Sequence, residues 1–276
     1  MNLKKIRFSV LLPILERNDI KKLFPLALKS IYMNTLLPSQ VVVVVDGLVS
    51  NSFKDLVNFY SNYYSLDLIW TNKKIGLDKA LNLGLSKCVY EYIFRADGDD
   101  INLRNRFEKQ LPFLLEGFDV VGSNIDEYDE EGKYISTKKV PLSDKEIEKF
   151  ISYRNPINHM SVGYLKQSIL EVGGYPELFL KGDYGLWIKL KSKKKKFKNL
   201  EESLVKATTG NRMIKDRGGL KYIYSEIKLQ KFLLSYKMTN IFKATFVLIL
   251  RSIIFIIPFK IRNFFYFFFL REVKKN

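Results

Sequence analysis

Three carboxylates follow a short apolar segment near the middle of the chain, where Arg95 to Asp100 reads RADGDD. Asp97 and Asp99 are two residues apart, so in an extended or turning segment their side chains point to the same side, and Gly98 lets the backbone pass close to a ligand. Hard cations such as Mg²⁺ and Mn²⁺ take one or two protein carboxylates and complete their shell with phosphate oxygens and water. The pattern predicts a Mn²⁺ or Mg²⁺ site; the alternative is a solvated acidic turn in which Asp100 caps a following helix.

Over the first hundred residues, segments with a strand-like hydrophobic pattern alternate with segments with a helix-like pattern. These segments must position the acids. Four short segments read as strands, the first two almost continuously apolar, as in parallel sheets that are buried on both faces. Helical patterns lie between them, and this alternation predicts an open doubly wound α/β sheet. The predicted strands are Arg7 to Leu12, Val41 to Val45, Leu66 to Trp70 and Tyr90 to Phe94, and the predicted helices are Asp19 to Met33, Ser52 to Tyr63 and Leu77 to Lys87.

Polar side chains follow each of the four predicted strands. Glu16 comes after the first strand, Asp46 after the second, Asn72 after the third and the RADGDD acids after the fourth. Ligands of open α/β sheets bind beyond the carboxyl ends of the strands, so this edge is the predicted site. The first strand ends in PILERND, without the glycines of a dinucleotide-binding loop or a P-loop, so the charge of a bound phosphate must be met in another way.

The second part of the chain is predicted to hold further helices and a strand. A capping box of Ser143 and Glu146 marks the start of one of the helices. The predicted helices are Leu103 to Leu115, Ser143 to Ile151 and Asp183 to Lys191, and the predicted strand is Phe118 to Ile125.

Basic and aromatic residues are concentrated at the C-terminal end. The formal net charge is +17, and Lys206 to Asn276 holds fifteen Lys or Arg against three Asp or Glu. Between Ile241 and Leu270, apolar blocks are separated by single cations, and none reaches the ~18–20 apolar residues that span a bilayer. Such blocks are typical of helices that lie on an anionic membrane surface; the alternative is that they are buried helices packed on the main domain.

Composition sets the broad class of the protein. A chain of 276 residues with 47% hydrophobic content can bury a large core and carry an extension. The single cysteine, Cys88, excludes an internal disulfide and fits a reducing compartment. The N-terminal apolar run is short and closed by Pro13, so we predict no signal peptide.

The sequence resembles family 2 glycosyltransferases of the GT-A fold, of the bacterial kind that builds capsule, exopolysaccharide or O-antigen repeat units. The resemblance covers Phe8 to Leu190 and implies an α/β fold, a Rossmann-like doubly wound mixed sheet. With it we expect a catalytic domain over 1–205, made of a nucleotide-binding half (1–100) and an acceptor half (101–205), followed by a helical, membrane-associating tail over 206–276. The motifs that carry it are FSVLLPILERND, VVVVVDG, IGLDKALNLGLSKCVYEYIFRADGDD, NPINHMSV, VGGYPE and GDYGLW.

The resemblance implies roles for residues at the donor site. Pro13 and Glu16 lie in the loop that holds the nucleotide base in this family, and Asp46 matches the aspartate that contacts uracil or ribose. Asp97 matches the acid that approaches the ribose or the metal, and Asp99 matches the direct metal ligand. For Glu16 and Asp46 the alternative is ordinary turn and cap chemistry.

Other candidates belong to the transfer step and its surroundings. The resemblance implies that Asp183 is the general base, with a helix N-cap as the alternative role. His159, the only histidine, lies near the active site in this family and is a candidate metal ligand, although a lone histidine is often structural. Arg212 and Arg217 stand on a Gly-rich segment that could close over the donor and bind phosphate; the alternative is a solvated loop.

The chain departs from the family pattern at three positions. Gly182 precedes Asp183 where the family usually has a second acid. Lys74 replaces a common asparagine, and Val45 replaces the first acid of a common D-D-G motif. The first departure removes a carboxylate that could assist Asp183, and the other two bear on which donor nucleotide is bound.

The expected protein is an inverting transferase that moves a sugar from a nucleoside diphosphate sugar, UDP-linked, to a saccharide on a polyprenyl diphosphate carrier. It would act at the cytoplasmic face of the plasma membrane, bound peripherally, and not on nucleic acid. The basic charge and RGG triplet suggest a nucleic-acid-binding protein as a rival, which the acidic strand ends oppose. A sugar nucleotidyltransferase and a non-catalytic membrane scaffold are two further rivals.

Overall fold

The computed structural model describes residues 3–209, 218–258 and 261–262. Strands and helices alternate as expected over the first hundred residues, and short 3₁₀ turns cover Leu3–Lys5 and His159–Ser161. The strands are β1 (Phe8–Ile14), β2 (Gln40–Val45), β3 (Asp67–Trp70), β4 (Tyr92–Arg95), β5 (Ile101–Asn102), β6 (Val120–Tyr128), β7 (Tyr134–Lys138), β8 (Gly163–Leu165) and β9 (Phe197–Thr208). The helices are α1 (Asn18–Tyr32), α2 (Asn51–Tyr64), α3 (Leu77–Lys87), α4 (Arg106–Leu115), α5 (Asp144–Phe150), α6 (Lys166–Glu171), α7 (Gly182–Ser192), α8 (Leu220–Ser235) and α9 (Ile241–Ile256).

The described strands form one mixed sheet in the order β3-β2-β1-β4-β8-β6-β9-β5, with β7 paired to β6. The first four strands in this order are parallel. Strand β8 runs antiparallel to both β4 and β6, and β9 runs parallel to β6. The predicted doubly wound mixed sheet is therefore confirmed, and the carboxyl ends of β1 to β4 meet at one edge.

The apolar run of β2 shows why these strands lack alternation. Val42 and Val44 pack with α3 and α7 on one face of the sheet. Val41, Val43 and Val45 pack with α1, α2 and α4 on the other face. Because helices cover both faces, every position of this strand except its first is buried and apolar.

The predicted capping box at α5 is confirmed. The Ser143 hydroxyl accepts a hydrogen bond from the backbone N–H of Glu146, and the Glu146 carboxylate accepts one from the backbone N–H of Ser143. The two bonds satisfy N–H groups that the first helical turn leaves without partners.

The C-terminal helices are attached to the main body through a buried acid. Glu226 on α8 is fully buried and binds Arg251 of α9 at 2.9 Å and Lys181, the residue before α7, at 3.7 Å. Within the described residues, no helix combines the length and the apolar character that a membrane crossing requires. The last of the apolar blocks between Ile241 and Leu270, FFYFFFL, lies outside the described residues.

Candidate active site

Asp97, Asp99 and Asp100 lie together just beyond the end of β4. Carboxylate oxygens from the three residues are all within 4.8 Å of one another. Burial, followed by the negative charge of Asp97, raises the pKa of both Asp99 and Asp100. Clustered hard oxygens whose charges repel one another suit a divalent cation, so this donor set fits Mg²⁺ or Mn²⁺.

Arg95 and Arg17 partly balance the negative charge of this cluster. The buried Arg95 forms an ion pair with Asp97, and Arg106, buried beneath it, donates to the backbone carbonyl of Arg95 at 2.7 Å. Arg17, from the segment between β1 and α1, donates to the Asp99 carboxylate at 2.5 Å. Arg17 was not predicted from the sequence, although its place in PILERND at the same sheet edge was a usable signal.

The alternative in which Asp100 caps the following helix is wrong. Strand β5 comes directly after Asp100, and the N-cap of α4 is Asn105, which makes no side-chain capping bond. The buried Asp100 carboxylate instead accepts a hydrogen bond from the backbone N–H of Thr208 at 2.9 Å, and the Thr208 hydroxyl donates to the Asp99 carbonyl at 2.6 Å. Asp100 therefore ties the acid cluster to the end of β9.

Glu16 is held rigidly at the end of β1. Its carboxylate accepts hydrogen bonds from the Ser50 hydroxyl at 2.6 Å and the Ser50 backbone N–H at 2.7 Å, and it pairs with Lys21 at 2.9 Å. The bonds from Ser50 are the main cause that lowers the pKa of Glu16 to about 2. The side chain thus stays charged and links the loops that follow β1 and β2.

Asp46 shapes the loop before α3. Its carboxylate accepts hydrogen bonds from the backbone N–H groups of Ile75 and Gly76 at 2.7 and 2.9 Å. These bonds are ordinary turn and cap chemistry, and a role of Asp46 in nucleotide binding stays a prediction. Pro13 is buried near the end of β1, beside Val44 of β2.

Asp183 is the second residue of α7 and lies half-buried. The alternative that it serves as the N-cap is wrong, because the N-cap is Lys181. The Asn155 amide donates to the Asp183 carboxylate at 2.7 Å and so orients it. Gly182, the residue before it, abuts Asp78 at the start of α3, which places this segment at the carboxyl edge of the parallel strands.

His159 lies outside the acid cluster. Its Nε2 atom is hydrogen-bonded to the Tyr175 hydroxyl at 3.0 Å, and its ring meets Trp187 in an edge contact. Burial, followed by the charge of Arg95, lowers the pKa of His159 well below its usual value, so the imidazole is neutral. A role as metal ligand stays a prediction. The predicted donor-binding residue Arg217, with Arg212, lies outside the described residues.

The sheet with its acid cluster after β4, and the carboxylate at the start of α7, define a glycosyltransferase of the GT-A type. The chain belongs to glycosyl transferase family 2, whose model matches residues 9–173. The fold class, the family resemblance and the glycosyltransferase activity predicted from the sequence are therefore confirmed.

Two bacterial relatives match most of the chain. The amylovoran biosynthesis glycosyltransferase AmsE of Erwinia amylovora is 34% identical over 94% of this chain and 97% of its own length. A protein of Escherichia coli named UDP-Gal:alpha-D-GlcNAc-diphosphoundecaprenol beta-1,3-galactosyltransferase is 37% identical over 81% of this chain and 82% of its own length. Both names place these relatives among sugar transferases.

Solved structures share the fold at low sequence identity. TarS of S. aureus in complex with UDP-GlcNAc superposes with a TM-score of 0.63 and 18% identity, covering 86% of this chain and 69% of the other. The mannosyltransferase PcManGT of Pyrobaculum calidifontis, in complex with GDP-Man and Mn²⁺, gives a TM-score of 0.58 and 14% identity, covering 90% of this chain and 70% of the other. These likenesses establish the fold alone.

Proposed function

We propose that the protein transfers a sugar from a UDP-sugar to a saccharide carried on a polyprenyl diphosphate, with inversion at the anomeric carbon, in bacterial surface polysaccharide synthesis. The observation that carries the proposal is the shared sheet edge. At the end of β4 this edge holds an acid cluster suited to a metal-bound diphosphate. At the start of α7 it holds the carboxylate of Asp183, which the Asn155 amide orients. The E. coli relative, named for a UDP-Gal donor and a diphosphoundecaprenol acceptor, supports this choice of substrates.

Asp97 and Asp99 would hold Mn²⁺ or Mg²⁺, with His159 retained as a further candidate ligand. The bound ion supplies positive charge that stabilises the departing nucleoside diphosphate. The Mn²⁺ in the PcManGT complex supports this cofactor class. Glu16, Asp46 and Pro13 would line the nucleotide site, where the Glu16 carboxylate, held by Ser50, would accept hydrogen bonds from the base or ribose.

The transfer step is assigned to Asp183. Its carboxylate accepts the proton of the acceptor hydroxyl while the hydroxyl oxygen bonds to the anomeric carbon, and the bond from that carbon to the diphosphate oxygen breaks. The Asn155 amide, at 2.7 Å, holds one end of the carboxylate in place. Attack from the side opposite the diphosphate accounts for inversion.

The tail is proposed to place the protein on an anionic membrane at the cytoplasmic face of the plasma membrane. One face of α9 exposes large apolar side chains, while Ala244 and Val247 are buried. Apolar side chains on one side of a basic helix suit the boundary between headgroups and acyl chains. The exposed set is Phe242, Phe246, Ile249, Leu250 and Ile253.

The test of the proposed function uses the full chain, Mn²⁺, a panel of sugar nucleotides and a synthetic polyprenyl-diphosphate saccharide. We expect one UDP-sugar to give transfer that EDTA abolishes. A product made from a sugar phosphate and UTP with release of pyrophosphate would instead indicate a nucleotidyltransferase. Transfer that is unchanged in both Asp99→Asn and Asp183→Asn would overturn the assignment of the site.

A further inference from the structure

Asp78 occupies the space that a side chain at position 182 would need. An added Cβ atom on Gly182 would lie 1.8 Å from one carboxylate oxygen of Asp78 and 2.2 Å from the other. Gly182 does not have the positive φ that favours glycine elsewhere in this chain. A side chain at position 182 would therefore displace the carboxylate of Asp78, which comes from another helix.

The surroundings of Asp78 are acidic and partly closed to water. Asp183 on α7 and Glu177 in the loop before it add negative charge, Lys79 pairs with Glu177 at 3.1 Å, and the Tyr175 hydroxyl is bonded to His159. Burial, followed by the charges of Asp183 and Glu177, raises the pKa of Asp78 to about 7.

We propose that Asp78 is the second carboxylate of the acceptor site, a positioning residue whose charge acts through Asp183. The inference rests on the proposed function. Asp183 still receives the acceptor proton, and Asp78 neither gains nor loses a proton in the step. A negative charge beside Asp183 stabilises the partial positive charge that develops on the acceptor oxygen as its proton moves to Asp183.

The role of Asp78 predicts a pH signature. As the pH rises through about 7, Asp78 becomes charged and kcat/KM for the acceptor rises. In Asp78→Asn this step disappears, and at pH 8 kcat/KM falls about tenfold, with the KM for the donor unchanged. An identical step in the wild type and in Asp78→Asn would overturn the proposal.

A compensating variant separates charge from packing. Asp78→Ala vacates the space beside Gly182, so the double variant Asp78→Ala with Gly182→Asp moves the acid from α3 to α7. We expect the double variant to regain most of the rate that Asp78→Ala loses. Failure of this rescue in a folded double variant would count against a role for the charge.

The thermal stability of Asp78→Asn gives a second readout, which should change in the opposite direction to its activity. The pKa of Asp78 is raised in the folded state, so the folded protein binds more protons than the unfolded chain between about pH 4 and 7, and stability falls as the pH rises through that window. Asp78→Asn should therefore raise Tm at pH 8 while lowering activity; a lowered Tm would indicate a structural residue. An inactive wild type would refute the proposed function, whereas equal activity of wild type and Asp78→Asn refutes only the role of Asp78.

Discussion

Arg17 binds Asp99 at 2.5 Å, although the two residues follow different strands, β1 and β4. Asp99 is the residue that the proposed metal ion would bind most directly. Without the ion, the arginine supplies the positive charge that the acid cluster needs. A metal ion at Asp99 would compete with this guanidinium, and Arg17 would then be free to contact the diphosphate of the proposed donor.

The first prediction concerns this competition. Arg17→Gln should lower the Mn²⁺ concentration for half-saturation about threefold in the absence of donor, because a partly exposed ion pair contributes at most about 1 kcal/mol. The same variant should raise the KM for the donor, because a phosphate partner is lost. Calorimetric titration with Mn²⁺ measures the first effect and initial rates measure the second.

The exposed Arg104→Gln is the matched control for loss of one positive charge. It should change neither quantity. Weaker Mn²⁺ binding in Arg17→Gln would show that the arginine assists the metal site rather than competing with it.

The second prediction tests the proposed base. Asp183→Asn keeps the shape of the side chain but removes its ability to take a proton, so kcat should fall by about 10²–10⁴-fold. Donor binding should stay within twofold of wild type, because the proposed base would contact the acceptor rather than the donor. The exposed Asp55→Asn on α2 serves as control, and a kcat within a factor of three of wild type for Asp183→Asn would exclude this residue as the base.

The third prediction concerns the buried acid that holds the C-terminal helices. Glu226→Gln removes the buried negative charge that Arg251 and Lys181 both contact, and breaking a buried ion pair in this way costs about 3 kcal/mol of unfolding free energy. Urea unfolding measures the change. Glu148→Gln, at an exposed position of α5, should stay within about 0.5 kcal/mol of wild type. Equal stability of the two variants would mean that the ion pairs contribute nothing.

The fourth prediction addresses the exposed face of α9. Phe246→Ser should reduce sedimentation with vesicles that contain anionic lipid, because an apolar side chain no longer enters the acyl boundary. Phe59→Ser on α2 is closely matched, since Phe59 and Phe246 are both 63% exposed. If both variants, or neither, lose vesicle binding, α9 is not the membrane-facing element.

Much of the fold followed from the sequence because β1 and β2 are continuously apolar and the strand ends carry the polar residues. The position of Asp97 and Asp99 followed from the same reasoning. The contacts that complete the site did not, since Arg17 meets Asp99 and Asp78 meets Gly182 only after distant segments pack together. The missing acid at Gly182 was visible in the sequence, but the position of Asp78 beside it was not.

Asp100 shows a different limit of sequence reasoning. An aspartate after a turn is a good helix cap, and that local rule predicted the wrong partner here. The partner is Thr208, at the end of a strand more than a hundred residues later. Local preference determines the hydrogen-bond partner of such a side chain only where the tertiary structure offers no better one.

Glu226 joins Arg251 on the tail helix to Lys181, which directly precedes the segment that carries the proposed base. On the proposed membrane placement, these ion pairs would help to fix the height of Asp183 above the lipid. An acceptor anchored in the same bilayer presents its terminal hydroxyl at a height that depends on how many sugars it already has. On the proposed placement, the protein would favour acceptors whose terminal hydroxyl reaches the height of Asp183.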